Sequence, residues 1–378
     1  MKYYIIAGEA SGDLHGGNLI RELKNLDEAA VIHCWGGDKM ESAGAVLIKH
    51  YRNLAFMGFW EVIKNIFTIF KNLSFCKNDI LQFEPDVLIL IDYPGFNLRI
   101  AKWAKQKGFK VIYYISPQVW AWKENRVKMM KGCIDKMIVI LPFEKKYFKD
   151  KWNWEVEYVG HPLVEEIEKF KVESLKLKVQ EESSTFNQQP STKVALLPGS
   201  RKQEILKKLP VMLEVSRSFP DYQFIVAKAP GVDENFYNDL LRPYNNVSFV
   251  SDQTYSLLMQ AKAALVTSGT ATLETALFAV PEVVCYKGSL FSYLIAKLVI
   301  KVKYISLVNL IMDKPVVIEL IQRKMNVENL KTELNIILKD TNRIEKMKDD
   351  YSELKNLLSM QTGASAATAA SIYHFLRK

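Results

Sequence analysis

Tyr3-Tyr4-Ile5-Ile6-Ala7-Gly8-Glu9-Ala10-Ser11-Gly12-Asp13 opens the chain as an apolar run, a glycine-serine turn and the start of a helical pattern through 14–23. Thr267-Ser268-Gly269-Thr270-Ala271-Thr272-Leu273-Glu274 repeats that order near the other end, after the apolar run 263–266 and before a helical stretch to 278. Each reads as strand, tight turn and helix N-terminus. A helix N-terminus presents unpaired N–H groups and partial positive charge, which suits a phosphate or a carboxylate. Two such turns predict two nucleotide-type domains facing one cleft.

Outward from these turns, short apolar runs alternate with helical patterns. Strands are expected at 3–7, 31–35, 87–91, 111–115 and 137–141, with helices near 14–25, 56–82, 96–107 and 122–131. A second series follows at 194–197, 223–227, 247–250, 263–266 and 283–286. Strands alternating with helices predict parallel, doubly wound sheets whose ligands collect at the carboxyl ends of the strands. The polar stretch 171–192 reads as a linker. The expected division is a first domain over 1–170, the linker, a second domain over 193–345, and terminal helices over 346–378 that return to the first domain.

Length and composition bound the answer. A chain of 378 residues accommodates two domains, and 49% apolar with 25% charged residues is the mix of a globular protein. The four cysteines, Cys34, Cys76, Cys133 and Cys285, are scattered, so neither a disulfide framework nor a zinc site is indicated, and reduced thiols fit the cytoplasm. The histidines show no ligand spacing, and no metal or cofactor is expected. The amino-terminal apolar run is too short for a signal peptide, and no run is long enough to span a membrane. The net charge of +9 comes from scattered lysines without a nucleic-acid motif, which fits either ordinary solubility or an anionic lipid surface. Segments 56–73 (Phe56, Phe59, Trp60, Ile63, Phe67, Phe70, Leu73) and 289–305 (Leu290, Phe291, Leu294, Ile295, Leu298, Val299) pair apolar faces with lysines. They read as interfacial helices, or equally as core faces.

Five constellations carry chemistry. In Leu197-Pro198-Gly199-Ser200-Arg201, with Glu204 beyond, the turn places Ser200 to cap a helix and Arg201 to reach a diphosphate, unless the arginine is merely solvated. Ser268, Gly269 and Thr270 offer hydroxyls and open backbone, and Glu274 one turn on suits a ribose diol or simple helix-end charge. Asp92 closes the run 87–91 before Tyr93-Pro94-Gly95-Phe96-Asn97, the place for a general base or for a turn aspartate. Ser116-Pro117-Gln118-Val119-Trp120-Ala121-Trp122 offers an aromatic surface for sugar or lipid, or core aromatics. His161, in Gly160-His161-Pro162, reads as a structural histidine at the domain junction.

Taken in order, the motifs at 8–13, 116–122, 160–162, 197–204 and 267–274, with Val283-Val284-Cys285-Tyr286-Lys287 and the segments 304–310 and 319–322, resemble the lipid-A-disaccharide synthases, inverting glycosyltransferases of the GT-B type. The resemblance runs from the first strand to the helix after Gly363. One departure stands out. Family members often read Asp-x-Pro-Asp-Phe-Asn where this chain has Gly95 in place of the second aspartate, which favours Asp92 as the base.

The resemblance implies two Rossmann-like domains and transfer of 2,3-diacylglucosamine from its UDP derivative to 2,3-diacylglucosamine 1-phosphate, giving a β-1,6 disaccharide 1-phosphate and UDP. Asp92 is then the catalytic base. Gly199, Ser200, Arg201, Glu204, Ser268, Gly269, Thr270, Glu274, Asn309, Glu319 and Gln322 bind the UDP donor. Glu9, Ser11, Gly12, Asp13, Asn97, Ser116, Gln118 and Trp120 shape the acceptor side. The implied partners are the two lipid sugars and the anionic inner leaflet of the cytoplasmic membrane, with peripheral attachment. A homodimer is left open and nucleic acid is not a partner. The competing readings are a UDP-sugar epimerase of similar fold and a peripheral module that binds anionic lipid.

Overall fold

Val87-Leu88-Ile89-Leu90-Ile91 is buried at every position, as a parallel strand covered on both faces must be. It is β4 of a seven-stranded sheet in a computed structural model that describes residues 1–53, 66–181, 192–289 and 302–377. Its companions are β1 (Lys2–Ala7), β2 (Val31–Gly36), β3 (Val46–His50), β5 (Val111–Tyr114), β6 (Lys136–Val139) and β7 (Glu157–Tyr158), in the order β3-β2-β1-β4-β5-β6-β7. A second sheet contains β8 (Lys193–Leu197), β9 (Gln223–Lys228), β10 (Val247–Ser251), β11 (Ala263–Thr267), β12 (Glu282–Tyr286) and β13 (Ile318–Ile321), in the order β10-β9-β8-β11-β12-β13. All the strand pairs are parallel. Both units are thus doubly wound Rossmann-like sheets.

Strand order identifies where ligands belong. In each sheet the chain leaves the first strand in one direction and later returns to its other side, so the order reverses between β1 and β4 and between β8 and β11. A crevice opens outside the carboxyl ends of strands at such a reversal. Ala7 pairs with Ile91, which places the Gly8 turn beside Asp92. Leu197 pairs with Val266, which places the Pro198–Arg201 turn beside Ser268.

The sheet of the first unit is packed on both sides. Tyr3, Ile5 and Ala7 face Leu19, Ile20 and Leu23 of the helix Ala10–Leu26 and Ala369 and Ile372 of the helix Ala364–Arg377. Tyr4 and Ile6 face Leu73, Cys76 and Ile80 of the helix Ile66–Phe83 and Ala101 and Ala104 of the helix Pro94–Gln106. Each fully buried aliphatic side chain contributes about 1.5–3 kcal/mol.

The compact units are Met1–Pro162 with Leu358–Lys378, and Leu163–Leu357. The division therefore falls before the polar stretch. Residues 171–181 continue the helix Pro162–Glu181, in which 171–176 are exposed or partly exposed, and 182–191 lie outside the described residues. The return also comes later than 346. The helix Thr341–Leu358 buries Met347, Tyr351 and Leu354 in the second unit, where Arg343 donates to the Val316 carbonyl at 2.8 Å. Strands β3, β7 and β13 were not expected from the sequence. The first two are only partly buried, and β7 and β13 are only two and four residues long.

Of the two stretches with an interfacial pattern, 56–65 and 290–301 lie outside the described residues. In the helix Ile66–Phe83, Phe67 and Phe70 are 85% and 62% exposed, whereas Leu73 is a core residue and does not belong to that exposed face. Among the described residues no helix is long and apolar enough to cross a membrane.

Candidate active site

Asp92 sits just past β4 in a left-handed conformation, φ +44°, and Tyr93 follows at φ +47°. Two consecutive non-glycine residues there cost roughly 1–3 kcal/mol each. The surroundings hold them in place. The Asp92 N–H donates to the Tyr114 carbonyl at 3.0 Å, and the Asp92 carbonyl accepts from Asn97 Nδ2 at 2.9 Å and from the Tyr113 hydroxyl. Gly8 completes the arrangement, since a Cβ there would lie 2.3 Å from the Tyr93 ring. These bonds fix the Asp92 backbone, and its side chain is partly buried. Burial first, and the Glu9 charge second, push its pKa up to about 6.

The other acceptor-side candidates separate into two groups. Glu9, Ser11 and Gln118 are exposed, and Trp120 is partly so. Asn97 is fully buried, and its Nδ2 also donates to the carbonyls of Ile6 and Ile91 at 3.3 and 3.1 Å, tying the ends of β1 and β4 together. Asp13 is likewise buried. Its Oδ1 accepts from the N–H groups of Gly37 and Met40 at 2.7 and 3.1 Å, and its Oδ2 from Lys39 at 3.1 Å. A Cβ on Gly12 would come within 3.0 Å of Ala7 Cβ, so this glycine serves helix-on-strand packing. Asp13 and Gly12 therefore build the turn, and Asn97 does so through its Nδ2, while its buried Oδ1 accepts no hydrogen bond among the described residues. Asp13→Ala should lower stability by about 3 kcal/mol, because three amides lose a charged acceptor; chemical denaturation checks this.

Glu144 was missed from the sequence. It is buried, accepts from Trp120 Nε1 at 3.1 Å and from the Leu141 N–H at 3.0 Å, and burial pushes its pKa up to about 7. Its signal was present: Pro142 at the first helical position and a glutamate two residues later mark a helix start. Ser116 is buried beside it and donates to the Pro117 carbonyl at 3.0 Å. Trp120 is thus held by a carboxyl group rather than by packing alone. His161 is buried near His15, and burial pushes its pKa down to about 3, so the ring is neutral.

The second unit has a cavity of about 410 Å³ at its strand reversal, lined among others by Gly199, Ser200, Arg201, Glu204, Ser268, Gly269, Thr270 and Glu274. The Gly199 backbone, φ +119°, requires glycine there. Arg201 precedes the helix Lys202–Ser216 and is 68% exposed, with Nη1 4.0 Å from Glu204 Oε1. Gly269 precedes the helix Thr270–Leu277, so the amides of its first turn open toward the cavity. The Ser268 hydroxyl donates to the Ile305 carbonyl at 2.8 Å. Glu274 accepts from the Tyr255 hydroxyl at 3.3 Å, and burial raises its pKa.

Asn309, Glu319 and Gln322 lie outside this lining. Glu319 accepts from the N–H groups of Ile305 and Ser306 at 3.1 and 2.9 Å and from Asn309 Nδ2 at 3.0 Å. Asn309 also exchanges two bonds with the Val317 backbone, both 2.9 Å. These two residues fold the segment before the helix Leu307–Met312. Gln322 differs: its Oε1 accepts from the Gly288 N–H at 3.1 Å, while its buried Nε2 has no partner among the described residues.

The Lipid-A-disaccharide synthetase family model matches residues 3–373. The chain belongs to the lipid-A-disaccharide synthase family. It is 37% identical to the lipid-A-disaccharide synthase of Syntrophus aciditrophicus strain SB over 376 residues, 97% of this chain and 96% of that one. It is 36% identical to that of Geobacter metallireducens over 380 residues, 99% and 97% of the two chains. Membership makes it a glycosyltransferase of lipid A synthesis. Among solved structures, a UDP-GlcNAc 2-epimerase from Neisseria meningitidis matches with a TM-score of 0.67 at 14% identity over the whole of both chains. The glycosyltransferase of kitacinnamycin matches at 0.65 and 14%, covering 99% of each chain. At such identities these neighbours show the shared two-domain fold alone.

Proposed function

We propose that this glycosyltransferase joins UDP-2,3-diacylglucosamine to 2,3-diacylglucosamine 1-phosphate, with the first unit supplying the base and the second the donor site. The observation that carries the reading is Asp92, a carboxyl group held in a strained turn at a strand reversal with its pKa near 6. At neutral pH it is ionised yet basic enough to accept a proton. It takes the proton of the acceptor 6-hydroxyl as that oxygen bonds to the anomeric carbon. The bond from that carbon to the diphosphate oxygen breaks on the opposite face, and its electron pair leaves with UDP.

Negative charge grows on the departing diphosphate. The Arg201 guanidinium, the Ser200 and Thr270 hydroxyls and the first amides of the helix Thr270–Leu277 stabilise it most where that charge is greatest. Glu274 keeps one oxygen for the ribose while Tyr255 holds the other. Ser268 acts through its backbone, its hydroxyl being committed to Ile305. The unpartnered Gln322 Nε2 is suited to a sugar oxygen on the donor side. On the acceptor side, Glu9, Ser11 and Gln118 offer exposed polar groups and Trp120 an aromatic face. The exposed rings of Phe67, Phe70 and Trp122 support peripheral contact with the leaflet that holds both lipids.

Incubation with both lipid precursors should release UDP with the disaccharide 1-phosphate, resolved by mass spectrometry. Turnover of the UDP-sugar without the acceptor would instead indicate an epimerase. Failure to consume either lipid would remove the substrate assignment.

A further inference from the structure

We propose that Lys208 is a positioning residue for the donor diphosphate: it draws Glu204 away from Arg201 and fixes the Thr267 hydroxyl as a hydrogen-bond donor toward the ligand. This rests on the reading above, in which the cavity of the second unit receives UDP. Lys207 and Lys208 are adjacent in sequence, yet Lys207 is exposed and Lys208 is 4% exposed. Lysine is almost never buried so fully unless it is paired. Four residues after Glu204, Lys208 lies on the same helical face, and its Nζ is 3.6 Å from Glu204 Oε2. It also donates to Thr267 Oγ1. Glu204 and Thr267 both line the cavity.

Two consequences follow from this placement. Glu204 is shared between two cations, Lys208 at 3.6 Å and Arg201 at 4.0 Å. Without the buried ammonium, the carboxylate would pair with Arg201 alone and occupy the guanidinium needed by the ligand. Its negative charge would also face the diphosphate uncompensated. Thr267, for its part, accepts from the ammonium, which leaves its own proton to be donated. Gly199 allows this arrangement to sit directly under the turn, since a Cβ there would lie 2.9 Å from Glu204 Oε2 and 3.4 Å from Lys208 Nζ.

The charges lining the cavity make the contribution visible. Arg201 and Lys228 are balanced by Glu204 and Glu274, and Lys228 is tied to Glu234 at 3.0 Å. Lys208, beneath the lining, tips the balance toward an anion. Burial lowers its own pKa, and the neighbouring Glu204 opposes that shift.

The test compares UDP, by titration calorimetry, with uridine, by ligand-observed NMR. Lys208→Met, which preserves volume, should raise the Kd for UDP about tenfold or more and leave uridine binding unchanged. Lys208→Gln, which keeps a donor for Thr267 but no charge, should shift in the same direction and gives a second reading if the methionine variant misfolds. The double variant K208M/E204Q should recover most of the UDP affinity, because Arg201 is then free again. A purely structural lysine would weaken uridine and UDP alike and would not be rescued by E204Q; either result overturns the proposal. Unchanged UDP affinity in both single variants does so too. Absence of UDP binding by the unaltered protein would instead overturn the assignment of the cavity itself.

Discussion

Asp92→Asn should lower turnover by roughly 10²-fold or more while making the protein more stable. The two effects share one cause. Burial favours the neutral carboxyl, so its contribution to stability is complete below its ordinary value of 3.8 and is lost as pH rises through about 6. At pH 7.5 the ionised group therefore costs up to about 3 kcal/mol, which asparagine avoids while keeping the bonds made by the Asp92 backbone. In the unaltered enzyme kcat/KM should fall as pH drops through about 6, since the base must be ionised to act, and that limb should be absent from the residual rate of the variant. Rates measured from pH 5 to 8, with thermal unfolding of both proteins at pH 7.5, check the pair. Near-normal turnover in the variant would remove Asp92 from its role. Lost turnover with lost stability would identify Asp92 as a structural turn residue instead.

Arg201→Ala should weaken UDP binding about 10- to 100-fold, the usual range for one charge-assisted contact to an anion. Stability should change little, because the side chain is 68% exposed and its ion pair to Glu204, at 4.0 Å, is long and solvated. Lysine at this position should recover only part of the affinity, since an ammonium cannot reproduce the planar fork. Calorimetric titration with UDP decides the matter, and an unchanged Kd would separate Arg201 from the diphosphate. Removing Lys208 is expected to give a related loss, through Glu204 rather than through direct contact.

Much of this was legible in the chain because the relevant signals are local. The continuous apolar run 87–91 and the glycine turns after 3–7 and 263–266 expose parallel strands and helix starts without knowledge of what packs on them. The edge strands β3, β7 and β13 were missed because partial burial leaves only a weak pattern. The residues 171–181 were misread because a solvated helix face and a linker share a composition. Glu144 was missed although its place two residues after Pro142 is a helix-start signal.

The motif residues show the boundary most clearly. Asp13 and Glu319 carry the same carboxyl group as Glu9 or Glu274, Asn97 and Asn309 the same carboxamide as Gln118 or Gln322, and nothing in their spacing distinguishes a ligand contact from a fold contact. The sequence by itself determined the fold class, the family and the two glycine-serine turns at strand ends where chemistry gathers, because periodicity and turn chemistry are properties of neighbouring residues. Only the tertiary structure decided which polar side chains are committed to backbone amides and carbonyls, that Asp92 is strained and its pKa raised, and that one of two adjacent lysines is buried beside Glu204. Those outcomes depend on partners far away in sequence and on the exclusion of water, and neither exists until the strands have paired.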